Sequence, residues 1–233
     1  MPANKQPKPP DGKCEICGEN ATRRMASRHV KKCRAANPLP AGTKEAEIFT
    51  LMVTAPPFPE FFLVVEIGGD KTLASLDQFL RDTWLECCGH LSAFTIKKLH
   101  YNSHSDPEME DMEAMFGGKS HSMSVKIKNA LDEGETFDYE YDFGTTSDLK
   151  LRVLDIRRTT EKQPANPVLL MRNLPPEWKC RVCQKPATIV GATDGGLYDG
   201  NVYCEACAKK ELEEYERSPI LNSPRSGLCG YGH

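Results

Sequence analysis

The chain has 233 residues, a formal net charge of −3, 39% hydrophobic and 27% charged residues, and ten cysteines. These values describe an ordinary globular chain and exclude a collagenous, wholly disordered or helix-spanning membrane protein, because no run approaches the ~20 apolar residues that cross a bilayer. The start, MPANKQPKPPDGK, lacks the apolar stretch of a secretory signal, so the expectation is a cytoplasmic protein with no membrane partner, whose reduced thiols serve as ligands and not as a disulfide framework.

Residues 1–40 carry nine basic side chains against three acidic ones, a net of +6 that leaves −9 for the remainder. Such asymmetry points to an anionic partner at one end, DNA or RNA in the first instance. Within this segment the spacing Cys14-x2-Cys17-x11-His29-x3-Cys33 follows the plan of a zinc finger, a knuckle and then a helix whose last two ligands lie one turn apart. A helix over residues 22–33 would turn Met25 inward and leave Arg23, Arg24, Arg28, Lys31 and Lys32 exposed as candidate nucleic-acid contacts. The alternative is a basic tail in which Cys and His coincide by chance. Asn37-Pro-Leu-Pro-Ala-Gly42 reads as a linker.

Residues 45–173 have the pattern of a mixed α+β core. Ile48–Thr54 and Phe61–Ile67 are strand candidates, the second placing Phe61, Leu63, Val65 and Ile67 on one face. Thr72 can cap a helix carrying Leu73, Leu76, Leu80, Trp84 and Cys87 or Cys88 on an apolar stripe. Phe94–Tyr101 reads as one further strand, and Asp106-Pro107 as the start of a short helix with Met109, Met112, Met115 and Phe116. Val125–Leu131 is a strand candidate. Phe137, Tyr139, Tyr141 and Phe143 then alternate with Asp138, Glu140 and Asp142, and Leu149, Leu151 and Val153 alternate with Lys150 and Arg152, with Gly144-Thr-Thr-Ser147 as the hairpin loop between them.

After Pro175-Pro176, residues 174–217 hold the strongest chemical signal, Cys180-x2-Cys183-x20-Cys204-x2-Cys207. Two such knuckles bring four thiolates to one tetrahedral Zn²⁺ with no open position, which makes the expected role structural. A hairpin of residues 188–190 and 202–203, with a turn at Asp194-Gly-Gly196, would join the knuckles, and a charged helix over 205–217 would follow. A unit of this size has too little core of its own, and metal binding at about 10–16 kcal/mol in comparable peptides would supply most of its folding free energy. Redox CxxC pairs or an iron–sulfur cluster are the alternatives. Residues 218–233 form a tail with turn residues and little periodicity.

Three further groups weigh less. Cys87-Cys88-Gly89-His90 could be a thiol–imidazole pair, but a helix C-terminus raises a thiol pKa, so buried stripe thiols and a helix-capping His90 are expected. The row Asp138, Glu140, Asp142 could hold a divalent ion, although an alternating acidic strand is ordinarily a solvated face, here opposite Lys150 and Arg152. His100, His104 and His121 fit no metal spacing. The chain contains no GxxxxGK[ST], helix-opening GxGxxG, GxSxG or HExxH pattern, and no catalytic residue is assigned.

The helix leading into His90-Leu91-x2-Phe94 and the strand Phe137-Asp-Tyr-Glu-Tyr-Asp-Phe-Gly144 together resemble the plasmid pRiA4b Orf-three-like family, found on plasmids and as a passenger in insertion sequences. The resemblance covers roughly residues 47–173 and implies a compact α+β domain. Family members usually follow Asp-Phe-Gly with an acidic residue and a Trp, where Thr145 and Ser147 stand here. The expected molecule is therefore α+β, a compact mixed sheet with one main packed helix, flanked by two modules holding two structural Zn²⁺. Its expected function is non-catalytic, as a binding or adaptor protein contacting nucleic acid through the finger. The alternatives are a divalent-metal enzyme of nucleic-acid or mobile-element metabolism built on Asp138, Glu140 and Asp142, and an adaptor whose partner is a protein.

Overall fold

The computed structural model describes residues 12–103, 120–192 and 195–232. A ten-stranded sheet organises them. Its strands, in chain order, are β1 (Gly12–Cys14), β2 (Asn20–Ala21), β3 (Ala41–Ala55), β4 (Phe58–Gly68), β5 (Ser92–Ile96), β6 (Leu99–Asn102), β7 (Ser120–Ser122), β8 (Thr136–Tyr141), β9 (Ser147–Glu161) and β10 (Val168–Asn173). They lie in the order β2-β1-β10-β4-β3-β9-β8-β5-β6-β7, antiparallel throughout except for the β6–β7 pair. The class is mixed α+β, as expected.

Alternation of apolar residues builds two cores, one on each face of the sheet. Phe61, Leu63, Val65 and Ile67 of β4 join Leu51 and Val53 of β3 beneath helix α2 (Leu73–Leu80), which presents Leu73, Leu76 and Leu80. The intervening Phe62 and Val64 point the other way, where they meet Ala26 and Val30 of helix α1 (Ala26–Ala36) together with Leu170 and Met171 of β10. The sheet thus sits between the main helix and the helix of the N-terminal Cys/His segment. Thr72 caps α2 by accepting from the Ser75 N–H at 3.3 Å. The helix then widens into a π-turn over Arg81–Leu85 and stops at Glu86, which is extended.

Two segments differ from the sequence expectation. Phe94–Tyr101 is not one strand but the β5–β6 hairpin, turned at Lys97 and Lys98 with φ of 51° and 67°. Two left-handed lysines replace the Asn-Gly that ordinarily marks such a turn. Val125–Leu131 is not a strand either. Residues Ile127–Ala130 form the short helix α3, fixed by Ile127 and Lys128 N–H groups donating to the carbonyls of Lys71 and Gly69, and Ile127, Ala130 and Leu131 are buried at helical spacing. The helix expected near residues 107–116 lies outside the described residues, as does His104.

A second sheet of β11 (Ile189–Gly191), β12 (Val202–Tyr203) and β13 (Arg217–Pro219) has the order β12-β11-β13. The charged helix is shorter than expected, α4 (Glu205–Glu211), because the chain turns through a 3-10 segment at Glu214–Glu216 to supply β13. Val190, Leu197 and Val202 belong to the same apolar cluster as the main core. The tail is also packed in: Ser223, Arg225, Ser226 and Leu228 are buried, and the Ser223 hydroxyl donates to the Trp84 carbonyl at 2.6 Å. Among the described residues no helix is long and apolar enough to cross a membrane.

Candidate metal centres

The N-terminal centre begins with a knuckle. The Cys14 N–H donates to the Glu19 carbonyl at 2.9 Å and the Gly18 N–H returns to the Cys14 carbonyl at 2.8 Å, a closure that needs Gly18 at φ 77°. Helix α1 brings the other two ligands, four positions apart on one face. Cys17 Sγ lies 3.3 Å from His29 Nε2 and 3.5 Å from Cys33 Sγ, and Cys33 Sγ lies 3.4 Å from the same nitrogen. All four expected donors, Cys14, Cys17, His29 and Cys33, fall within 4.8 Å of one another. The Glu19 N–H is the main influence holding the Cys17 thiol below its ordinary range, whereas burial and the Cys17 hydrogen bond push Cys33 up to about 12.

The C-terminal centre repeats the knuckle. Cys180 N–H donates to the Lys185 carbonyl at 2.8 Å and Gln184 N–H to the Cys180 carbonyl at 2.9 Å, with Gln184 at φ 61° in the place that Gly18 occupies in the first. The β11–β12 hairpin carries the chain to Cys204, the N-cap of α4, and the first turn of that helix supplies Cys207. Cys183 and Cys204 sulfurs are 3.6 Å apart, and Cys180, Cys183, Cys204 and Cys207 form one group within 4.8 Å. Burial acts upward on the Cys180 thiol, but N–H groups of Cys183, Cys204 and Val182 outweigh it and bring the thiol down to about 6. Those N–H···S bonds favour the thiolate, the form that binds metal.

A third group was not legible as a site in the sequence. Cys87, Cys88, His90 and Cys229 also lie within 4.8 Å of one another. The expectation of buried stripe thiols holds only in part: α2 and its π-turn end at Leu85, so both cysteines leave the helix, with Cys87 half-buried against the main core and Cys88 exposed. His90 does not cap that helix. Its Nε2 faces two sulfurs, and its N–H donates to the Tyr141 hydroxyl at 3.4 Å. The available signal was Cys-Cys-x-His with one unassigned cysteine left over in the tail.

The acidic row does not converge. Asp138 pairs with Lys150 at 2.7 Å, as the cross-strand register requires. Glu140 stands opposite Asp148, and burial raises the pKa of both. Asp142 departs from the solvated face altogether: φ is 64°, and its buried carboxylate pairs with Arg225 at 2.6 Å. Burial acts upward on that carboxyl, and the Arg225 hydrogen bond reverses it and leaves the pKa lowered. Of the histidines, His100 Nδ1 contacts Thr95 Oγ1 at 3.1 Å, and the His121 ring packs at a tilt of 37° against Tyr101.

The basic residues of the finger divide. Lys31 pairs with Asp155 of β9 at 2.8 Å, and Arg23 donates to the Pro59 carbonyl at 2.9 Å, tying the finger to the start of β4. Arg24, Arg28 and Lys32 are exposed and make no ion pair among the described residues. Met25 is exposed, contrary to expectation, because the first turn is 3-10 and hands the inward position to Ala26. Between finger and sheet lies a groove of about 850 Å³ lined by Arg23, Arg24, Lys150, Arg152, Phe58 and Trp178 among others.

A family model described as plasmid pRiA4b ORF-3-like protein matches residues 59–179, more than half of the chain. The chain belongs to the plasmid pRiA4b ORF-3-like family. The matched ORF-3-like segment starts after the finger and stops one residue short of Cys180, so the first and second centres lie outside it and three of the four ligands of the third lie inside. No curated protein matches the chain. Among solved structures, the protein of unknown function MM3350 from Methanosarcina mazei Go1 aligns at 16% identity with a TM-score of 0.43, covering 55% of this chain and 69% of the other. The chain thus combines an ORF-3-like core with flanking Cys/His groups that fit a metal-binding protein.

Proposed function

We propose that this protein is a zinc-binding, non-catalytic adaptor that holds nucleic acid between its finger and its sheet. Zinc is the metal favoured by the donors of the first two centres, three thiolates with one imidazole and four thiolates, because soft sulfur ligands in closed four-donor sets select it and leave no position for a substrate. The observation that carries the reading is the groove. Arg24 of the finger and Arg152 of β9 face a common space, without ion-pair partners among the described residues, beside Phe58 and Trp178. Cations that track phosphates next to aromatic faces that stack on bases form the usual surface for a single strand. Arg28 and Lys32 extend the same positive field along α1.

Binding of labelled single-stranded RNA, single-stranded DNA and duplex DNA across a salt series tests it. A basic groove predicts single-strand affinity that falls steeply with salt, and Arg24→Glu with Arg152→Glu should weaken it about tenfold or more. Absence of binding at low salt overturns the reading, and recovery of a stoichiometric protein partner in nuclease-treated material would favour the protein adaptor instead.

A further inference from the structure

We propose that Cys87, Cys88, His90 and Cys229 bind a third divalent metal ion, and that this ion clasps the C-terminal tail to the ORF-3-like core. The donor spacing is that of a coordination shell. A tetrahedral zinc with bonds of ~2.3 Å to sulfur and ~2.0–2.1 Å to nitrogen sets sulfur–sulfur edges near ~3.8 Å and sulfur–nitrogen edges near ~3.5 Å. Here Cys88 Sγ lies 3.6 Å from Cys87 Sγ and 3.7 Å from Cys229 Sγ, while His90 Nε2 lies 3.0 Å from Cys88 Sγ and 3.2 Å from Cys229 Sγ. The finger and the C-terminal four-cysteine unit, a ribbon closed by the β11–β12 hairpin, show the same kind of edges, 3.3–3.6 Å. None of the three sulfurs is in a disulfide, and separations of 3.6–3.7 Å are far beyond the ~2.05 Å of a sulfur–sulfur bond.

The surroundings orient this set. Glu86 accepts from the Gly89 N–H at 2.5 Å and from the Tyr141 hydroxyl at 3.0 Å, while Arg81 donates to it at 2.9 Å, so the loop bearing three donors is held on both sides. Gly89 turns that loop at φ 80°. Arg225 donates to Cys87 Sγ at 3.5 Å and to Asp142 Oδ2, the oxygen that also lies 3.4 Å from His90 Nε2. A guanidinium shared between a carboxylate and a sulfur is the outer-shell arrangement that suits a metal-bound thiolate. The fourth donor comes from 139 residues away, on a tail that is buried with little regular structure of its own. An ion bridging Cys229 to the 87–90 loop would add to the anchoring that Ser223 and Arg225 give this tail, since metal binding at a site assembled by folding contributes folding free energy.

The test uses the full chain, stripped of metal under reducing anaerobic conditions and retitrated with Zn²⁺ alone. Wild type should bind three equivalents. Cys229→Ser should bind two and expose Arg225 to trypsin, releasing the fragment that begins at Ser226 about tenfold faster. Cys229→His keeps a donor and should restore the third equivalent and the protection, which separates a lost ligand from a damaged tail. Alkylation gives an independent reading: zinc should protect Cys88 and Cys229 about tenfold. Two equivalents in wild type with Cys88 and Cys229 alkylated freely, three equivalents retained in Cys229→Ser, or a Cys88–Cys229 disulfide formed in preference to zinc uptake would each overturn the proposal.

Discussion

Arg225 donates to Asp142 at 2.6 Å across 83 positions of sequence, and both side chains are buried. The same guanidinium donates to the Thr145 carbonyl and the Ser147 hydroxyl, and it stacks 4.8 Å from the Tyr141 ring centroid, as does Arg81. Breaking a buried pair leaves one charge uncompensated. Arg225→Met and Asp142→Asn should each cost about 3–5 kcal/mol, and the double variant should recover part of that, with a coupling of about 1.5 kcal/mol or more. A double-mutant cycle in urea measures it; strictly additive single effects would show that the pair contributes no interaction of its own.

The ribbon shares its apolar contacts with the core through Val190, Leu197 and Val202, with Trp178 and Ala187 packed against the same cluster. On the proposed zinc reading, removing the ribbon's metal therefore reaches the main sheet. Cys180→Ser should destabilise the whole described fold by on the order of 3 kcal/mol if two buried aliphatic side chains are exposed, read as a lower urea midpoint in one transition. Fluorescence of the buried Trp84, read in a Trp178→Phe background because the chain has two tryptophans, follows the core. An unchanged Trp84 transition alongside loss of the ribbon's zinc equivalent would show two independent units.

Much of the fold was legible because its signals are local. Thr72 precedes its helix, Asp138 faces Lys150 across a hairpin, and all three CxxC knuckles announce themselves at fixed spacing. What escaped depends on contacts distant in sequence. Phe62 and Val64 make Phe61–Val65 a continuous apolar run, which marks a strand covered on both faces, but nothing near them states that α1 is the cover. Likewise Cys229 carries no motif; it meets Cys88 only because Ser223 and Arg225 anchor the tail against Trp84 and Asp142. The Lys97-Lys98 turn escaped for a different reason, since left-handed lysines contradict the chemistry that normally marks the position.

Two backbone substitutions isolate that conformational cost. A Cβ at Gly18 would meet nothing within 4 Å, so Gly18→Ala adds no clash and pays only for φ 77°. The finger should lose about 1–2 kcal/mol, read as weaker zinc retention against a chelator by His29 and its partners. Lys98→Gly acts in the opposite sense at φ 67° and should stabilise the hairpin by about 1 kcal/mol. Stability falling in Lys98→Gly would mean that the lysine side chain contributes more than its backbone strain costs.

Asp70 joins the turn after β4 to α3 by bridging Lys126 at 3.2 Å and Lys128 at 2.9 Å. The Lys128 and Lys126 hydrogen bonds hold its carboxyl down to about 2, against an ordinary value of 3.8. A carboxyl whose folded pKa is depressed contributes stability above its unfolded pKa and loses it as pH falls toward the folded one. The contribution of Asp70 is thus complete above about pH 5 and fades between about pH 4 and 2. The carboxylate is half exposed, so solvent screening reduces the effect to about 0.5 kcal/mol. Because acid also releases metal from thiolates, the informative quantity is the difference between wild type and Asp70→Asn. That difference should be present at pH 6, shrink below pH 4, and diminish in 1 M salt; a difference that grows on acidification would assign Asp70 the opposite role.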